Sequence, residues 1–133
     1  MLSWFEKNNK ISWIITIIIA VIIFYMSSLT FESAGGSKGF GYKADIYHIS
    51  IFFLFAFFLS ISLIKGKNKK FILLVIIISV LYGFSDEFHQ IFVPGRVSSL
   101  SDVFLDCFGI LIASTLYIGS LEYRIKKHFH PFL

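Results

Sequence analysis

The chain has 133 residues, enough for one domain. It is 56% hydrophobic and only 15% charged, with a mean hydropathy of +0.80. A soluble domain is about 45–50% apolar and about 25% charged, so this composition excludes a water-soluble enzyme, a disordered chain and a collagen. A net charge of +4 and a pI of about 9.2 invite a nucleic-acid reading, but the basic residues are placed as topology signals. The lone Cys107 excludes an intramolecular disulfide and a Cys-rich metal site. What fits is an all-α integral membrane protein.

Hydropathy predicts four transmembrane helices over 11–29, 46–64, 71–92 and 102–121. A span needs roughly 20 residues at about 1.5 Å rise to cross about 30 Å of hydrocarbon. The first run follows Lys7 and Lys10, as in a secretory leader, but it is longer than such an apolar region. No A-x-A cleavage pattern follows it, only Ser33-Ala34-Gly35-Gly36, so an uncleaved helix is expected. The glycine-rich stretch at 35–41 reads as an outer loop. The third span reaches sufficient length only if Asp86-Glu87-Phe88-His89-Gln90 stays helical at the membrane edge.

Lys7 and Lys10, the loop lysines Lys65, Lys67, Lys69 and Lys70, and Arg124, Lys126 and Lys127 all fall on one side of this topology. Only Lys38, Lys43 and Arg96 fall on the other. The positive-inside rule then makes both termini cytoplasmic. The basic excess serves contact with anionic lipid, and no nucleic-acid partner is expected.

The chemistry lies near the outer face. Asp45 and His48 are three residues apart, and Asp86 and His89 repeat that spacing, with Glu87 and Gln90 alongside. Asp102 and Asp106, four apart, share a face at the start of the last helix. Counting from residue 71 at about 1.5 Å per residue, the third helix has risen roughly 23 Å at Asp86 and roughly 27 Å at His89. His48 and Asp106 lie about 5–6 Å below the first turns of helices that enter from outside. All three pairs are therefore expected at one level. A charge at the centre of a span costs about 2.5–3.5 kcal/mol on insertion scales, so ionisable groups there point to function. Five carboxylates against Arg96 cannot all ionise without compensation: protons are retained, a cation is bound, or some side chains face water.

Each group also has a structural reading. Asp102 is a first-turn acid that Ser99 precedes as a cap. Glu87 points about 100° away from Asp86, and a lone buried His is often only a hydrogen-bonded core residue. Val93-Pro94-Gly95-Arg96 reads as a tight turn that brings Arg96 over the cluster. Arginine suits bidentate binding of phosphate or carboxylate there, or simply anchors the interface.

The run from Ser85-Asp86-Glu87-Phe88-His89-Gln90 to Pro94-Gly95-Arg96, followed by Ser99, Asp102, Asp106 and Gly109, resembles the signature of the VanZ-like family. Asp45-x-x-His48 is similar to that family's second-helix motif. The resemblance spans about 45–115 and implies one VanZ-like transmembrane domain over 1–133. It also implies a bacterial cytoplasmic-membrane protein, in a family named for a member linked to teicoplanin resistance. Where many members carry Asn four residues into the last helix motif, this chain carries Asp106.

Three functions stay open. In the first, an enzyme, Asp45, His48, Asp86, Glu87 and His89 would act as acid and base, with His89 the best-matched base. Gln90, Arg96, Asp102 and Asp106 would hold the headgroup of an envelope lipid. A divalent metal is a candidate cofactor, with Asp45, His48, Asp86, His89, Asp102 and Asp106 as candidate ligands. In the second, the same outward-facing site binds a lipid-linked cell-wall precursor or a lipoglycopeptide without turnover. The third is a proton or cation conduit, disfavoured because the inner halves of the helices offer only isolated Ser and Thr. Substrate, turnover and oligomeric state are not fixed by the sequence.

Overall fold

The computed structural model describes residues 2–30 and 41–129, and all regular structure among them is helical. A short helix α1 (Leu2–Lys7) leads into α2 (Asn9–Ser28). Then come α3 (Gly41–Ile64), a 3-10 turn (Lys69–Phe71), α4 (Ile72–Gln90) and α5 (Leu100–Phe129). Four of the helices, α2 to α5, are long and apolar enough to cross a membrane. In hydrocarbon no water is available to the backbone, so each span must satisfy its own N–H and C=O groups, and a helix does so. The expected outer loop at 35–41 and the Ser33–Gly36 segment lie outside the described residues, Gly41 excepted. Lys38 and His130 also lie outside them.

The spans follow the hydropathy reading in the interior and depart from it at the ends. The third keeps its acidic end helical through Gln90, as its length demanded. The second begins earlier than expected, at Gly41, and the fourth runs on to Phe129. The residues beyond 121 continue as helix because Arg124 finds a partner on α1, described below. The N-terminal segment, expected as a tail, forms α1. Its Leu2 and Phe5 pack against a cluster of Ile61, Ile64, Tyr117 and Leu121.

The helices present many bulky apolar side chains outward and place small polar ones among the core residues inside. On α2, Ile14, Ile17, Ile18 and Val21 are exposed, while Ser12, Thr16, Ile19, Ile23 and Ser27 form the buried stripe. Lipid is as apolar as leucine, so helices associate through close packing and interhelical hydrogen bonds rather than hydrophobic burial. Thr16 and Ser62 approach to 3.5 Å across α2 and α3, and Tyr82 of α4 donates to the Ala20 carbonyl at 2.7 Å. A β-carbon added at Gly109 would overlap the Ile49 carbonyl oxygen and lie 3.1 Å from the Phe53 nitrogen. That glycine sets how closely α5 meets α3, which is the most extensive helix pair. Between the two ends of the bundle lies an apolar core of Ile19, Ile23, Phe52, Phe55, Val75 and Ile110.

Candidate functional site

The end of the bundle remote from α1 gathers polar side chains from all four spans. His48 projects inward from the second turn of α3, and its Nδ1 lies 2.9 Å from Asp106 Oδ1 on α5. Its Nε2 points toward Asp102, 3.9 Å away, one turn nearer the end of α5. From α4, Glu87 reaches the same space. One ligand atom from each of His48, Glu87 and Asp102 fits within a mutual 4.8 Å, the only such group among the described residues.

Second contacts hold this arrangement in place. Gln90 donates from Nε2 to Asp86 Oδ2 at 3.0 Å and to Glu87 Oε1 at 3.2 Å, so one amide orients two acids. Glu87 Oε2 accepts the backbone N–H of Ser99 at 2.8 Å, tying α4 to the entry of α5. Ser99 Oγ in turn accepts the Ser101 N–H at 3.2 Å, the capping role its position suggested. Ser27 of α2 adjoins Asp86. His48, Asp86, Glu87, Gln90 and Asp106 are all buried, whereas Asp102 keeps 23% of its side chain exposed. Access to the cluster therefore runs past Asp102.

Not every expected member is here. Asp45 is exposed on the first turns of α3 and stands outside the cluster. His89 turns toward α2, where a ring nitrogen lies 3.0 Å from Ser28 Oγ and the ring sits 4.6 Å from that of Phe24. Arg96 follows the expected turn, with Gly95 at φ +78° and an Arg96 N–H to Val93 carbonyl bond of 3.2 Å. Its guanidinium donates to the Leu29 carbonyl at 3.0 Å and to that of Met26. These carbonyls lie at the end of α2, where the Met26 carbonyl otherwise takes only the Leu29 N–H at 3.4 Å, so Arg96 caps that helix. Asp86 joins the cluster through Gln90 rather than through the His48 group.

The arrangement also includes residues the motifs did not single out. The Tyr47 hydroxyl and Asp106 Oδ2 are buried with no hydrogen-bond partner among the described residues. Tyr47 had a signal, a phenol next to His48 inside an apolar span, where a hydroxyl needs a partner. A β-carbon at Gly83 would sit 3.2 Å from Asp106 Oδ2, so this glycine makes room for the carboxylate. Beside Glu87 a groove of about 500 Å³ opens on the flank of the bundle. Phe84, Phe88, Ile91, Leu100 and Val103 line it, with Ser85, Ser98 and Ser99.

The electrostatics are lopsided. Three carboxylates, on Glu87, Asp102 and Asp106, converge on a single imidazole, and a fourth, on Asp86, is joined to them through Gln90. Buried charge persists only when paired or hydrogen-bonded, so the site holds its acids with donors from Gln90, Ser99 and His48 and still has acceptor capacity to spare. It is built to receive positive charge or protons.

The family model described as VanZ/LLP1 matches residues 11–122. The matched stretch contains every residue of the cluster, and the chain belongs to that family. No curated protein and no solved structure matches the chain.

Proposed function

From its membership of the VanZ/LLP1 family, we propose that this membrane protein binds the polar headgroup of a cell-envelope lipid at the extracytoplasmic end of its bundle. Through that site it supports tolerance to glycopeptides of the teicoplanin kind. One observation carries the reading: an apolar groove on the bundle flank ends at the buried carboxylate Glu87. An amphiphile has that shape. Its chain would lie along Phe84, Phe88, Ile91 and Leu100, and its head would meet Glu87, Ser98 and Ser99. The surplus of basic residues at the opposite end supports the outward orientation.

Below the cluster the buried polar side chains among Ile19, Phe52, Phe55 and Ile110 are scattered hydroxyls such as Thr16, Ser62, Ser79 and Ser114, which speaks against a conduit, because a relay needs titratable groups through that depth. Binding without turnover is the simplest role for a site in which Gln90 and Ser99 already hold Asp86 and Glu87.

The test compares Glu87→Gln with Ser98→Trp, which fills the groove from its half-buried wall. In a teicoplanin-sensitive bacterial host, both variants are expected to fall to the tolerance of the empty vector while their membrane levels match wild type. Lipid copurifying with the wild-type chain, measured by mass spectrometry, should decrease in Ser98→Trp. Wild-type tolerance and lipid content in both variants would sink the reading.

A further inference from the structure

We propose that His48, Glu87 and Asp102 form a divalent-cation site, with Asp106 as the residue that orients the histidine. The ligand atoms come from three different helices and lie within 4.8 Å of one another. All three present lone pairs. The Asp106 carboxylate holds His48 by Nδ1 at 2.9 Å, and with the ring proton on that nitrogen Nε2 is left as an electron-pair donor. Among the described residues Nε2 makes no hydrogen bond. It faces Asp102 at 3.9 Å, although His48 is only 6% exposed.

An unprotonated buried ring nitrogen facing a carboxylate is repulsive unless a cation, a proton or a metal ion, stands between them. A carboxylate that takes the far nitrogen of a histidine, fixing its tautomer and raising its basicity, is the usual support for a metal-bound imidazole. Glu87 is similarly prepared, because the Gln90 amide and the Ser99 N–H hold its two oxygens. Asp102, partly exposed, provides the entry path. One imidazole and two carboxylates suit Zn²⁺ or Mn²⁺. Bonds of about 2.0–2.2 Å would draw the ligand atoms closer than they now stand, a closure within the reach of side-chain torsions.

The site also deepens the lipid reading, and only in this respect rests on it: a bound divalent ion would turn an acidic pocket into one that accepts a phosphate headgroup. Metal binding itself can be measured without any lipid.

The experiment uses the full chain in detergent, its affinity tag removed, stripped with chelator and dialysed. Zn²⁺ and Mn²⁺ are titrated separately by calorimetry, and bound metal is counted by mass spectrometry. Co²⁺ loading reports the ligand field by visible absorption. The wild type is expected to bind one ion per chain, with a cobalt spectrum characteristic of nitrogen and oxygen ligands. H48Q and E87Q should each weaken the affinity at least ten-fold while circular dichroism shows the helices intact. H89Q and the tail variant H128Q/H130Q should retain it. Absence of binding by the wild-type chain overturns the proposal whatever the variants do. So does binding that survives in an H48Q/E87Q double variant, or that disappears in H89Q or in the tail variant. Failure here leaves the groove reading standing, since that is judged by copurified lipid and tolerance.

Discussion

Asp106 shows at the scale of one side chain how the site was only half visible in the sequence. A carboxylate inside an apolar span signals a buried polar contact, but only the bundle supplies His48 as its partner. Conversely, the two D-x-x-H spacings suggested pairs that the structure separates. Residues three apart sit about 60° apart around a helix axis, since each advances about 100°. In a four-helix bundle that angle is enough to change neighbours: Asp86 faces the cluster and His89 faces α2. Asp45 lies one turn closer to the helix end than His48 and stays exposed. The Asp106 contact predicts a contrast between two substitutions. Asp106→Asn keeps an acceptor for the His48 Nδ1–H and removes a buried charge, so its thermal stability in detergent should match or exceed wild type. Asp106→Ala strands that N–H and should cost about 1–3 kcal/mol. Equal stability of the two variants would mean the 2.9 Å contact contributes nothing.

Helices were the most legible level. Four uninterrupted apolar runs dictate four spans because hydrocarbon tolerates no open backbone. The ends were less legible, because they depend on contacts with other elements: α5 outruns its apolar segment where Arg124 meets Glu6. Helix pairing was not legible either, since apolarity does not say which face touches protein and which touches lipid. Gly109 is the clearest case. In sequence it is one small residue among several, whereas in the bundle it lies against the Ile49 carbonyl. Gly109→Ala forces α3 and α5 apart and, as an overpacking change, should cost about 1–3 kcal/mol. A lowered melting temperature in detergent is the measurement. Gly119→Ala, where an added carbon meets nothing within 4 Å, is the control and should be neutral or slightly stabilising.

Across the whole molecule, a second polar assembly closes the end opposite the site. Glu6 of α1 receives the Arg124 guanidinium through two bonds of 2.7 Å and the Tyr117 hydroxyl at 2.8 Å. Tyr117 also accepts the Gly66 N–H at 3.2 Å from the turn after α3. Gly66 needs to be glycine twice over: its φ is +66°, and a β-carbon would press on the Glu6 carboxylate at 2.7 Å. This clasp joins the first helix to the last, and no motif in the sequence singled out Glu6. Burial acts to raise the Glu6 carboxyl, but hydrogen bonds from Arg124 and Tyr117, with the Arg124 charge, outweigh it and hold it below its ordinary value of 4.5. A carboxylate with a depressed folded value adds stability above its unfolded value and loses it as the pH falls through the folded one. Wild type should therefore lose stability relative to Glu6→Gln as the pH drops below about 4.5, with the difference constant near neutrality. Parallel stability curves for the two proteins down to pH 3 would remove Glu6 from the clasp.

The sequence alone determined that the chain lives in a membrane, how many times it crosses, and that most of its acids, with two of its four histidines, lie near one end. Those properties follow from hydropathy, charge placement and the cost of polar groups in lipid, which are local or additive along the chain. Only the tertiary structure decided which of those groups meet. Asp106 joins His48, Glu87 and Asp102 stand against it, His89 and Arg96 reach the end of α2 instead, and Glu6 closes the far end. Helix rotation and close approach at small residues settle such pairings. Both are set by neighbours distant in sequence, and no single helix carries them in its own pattern.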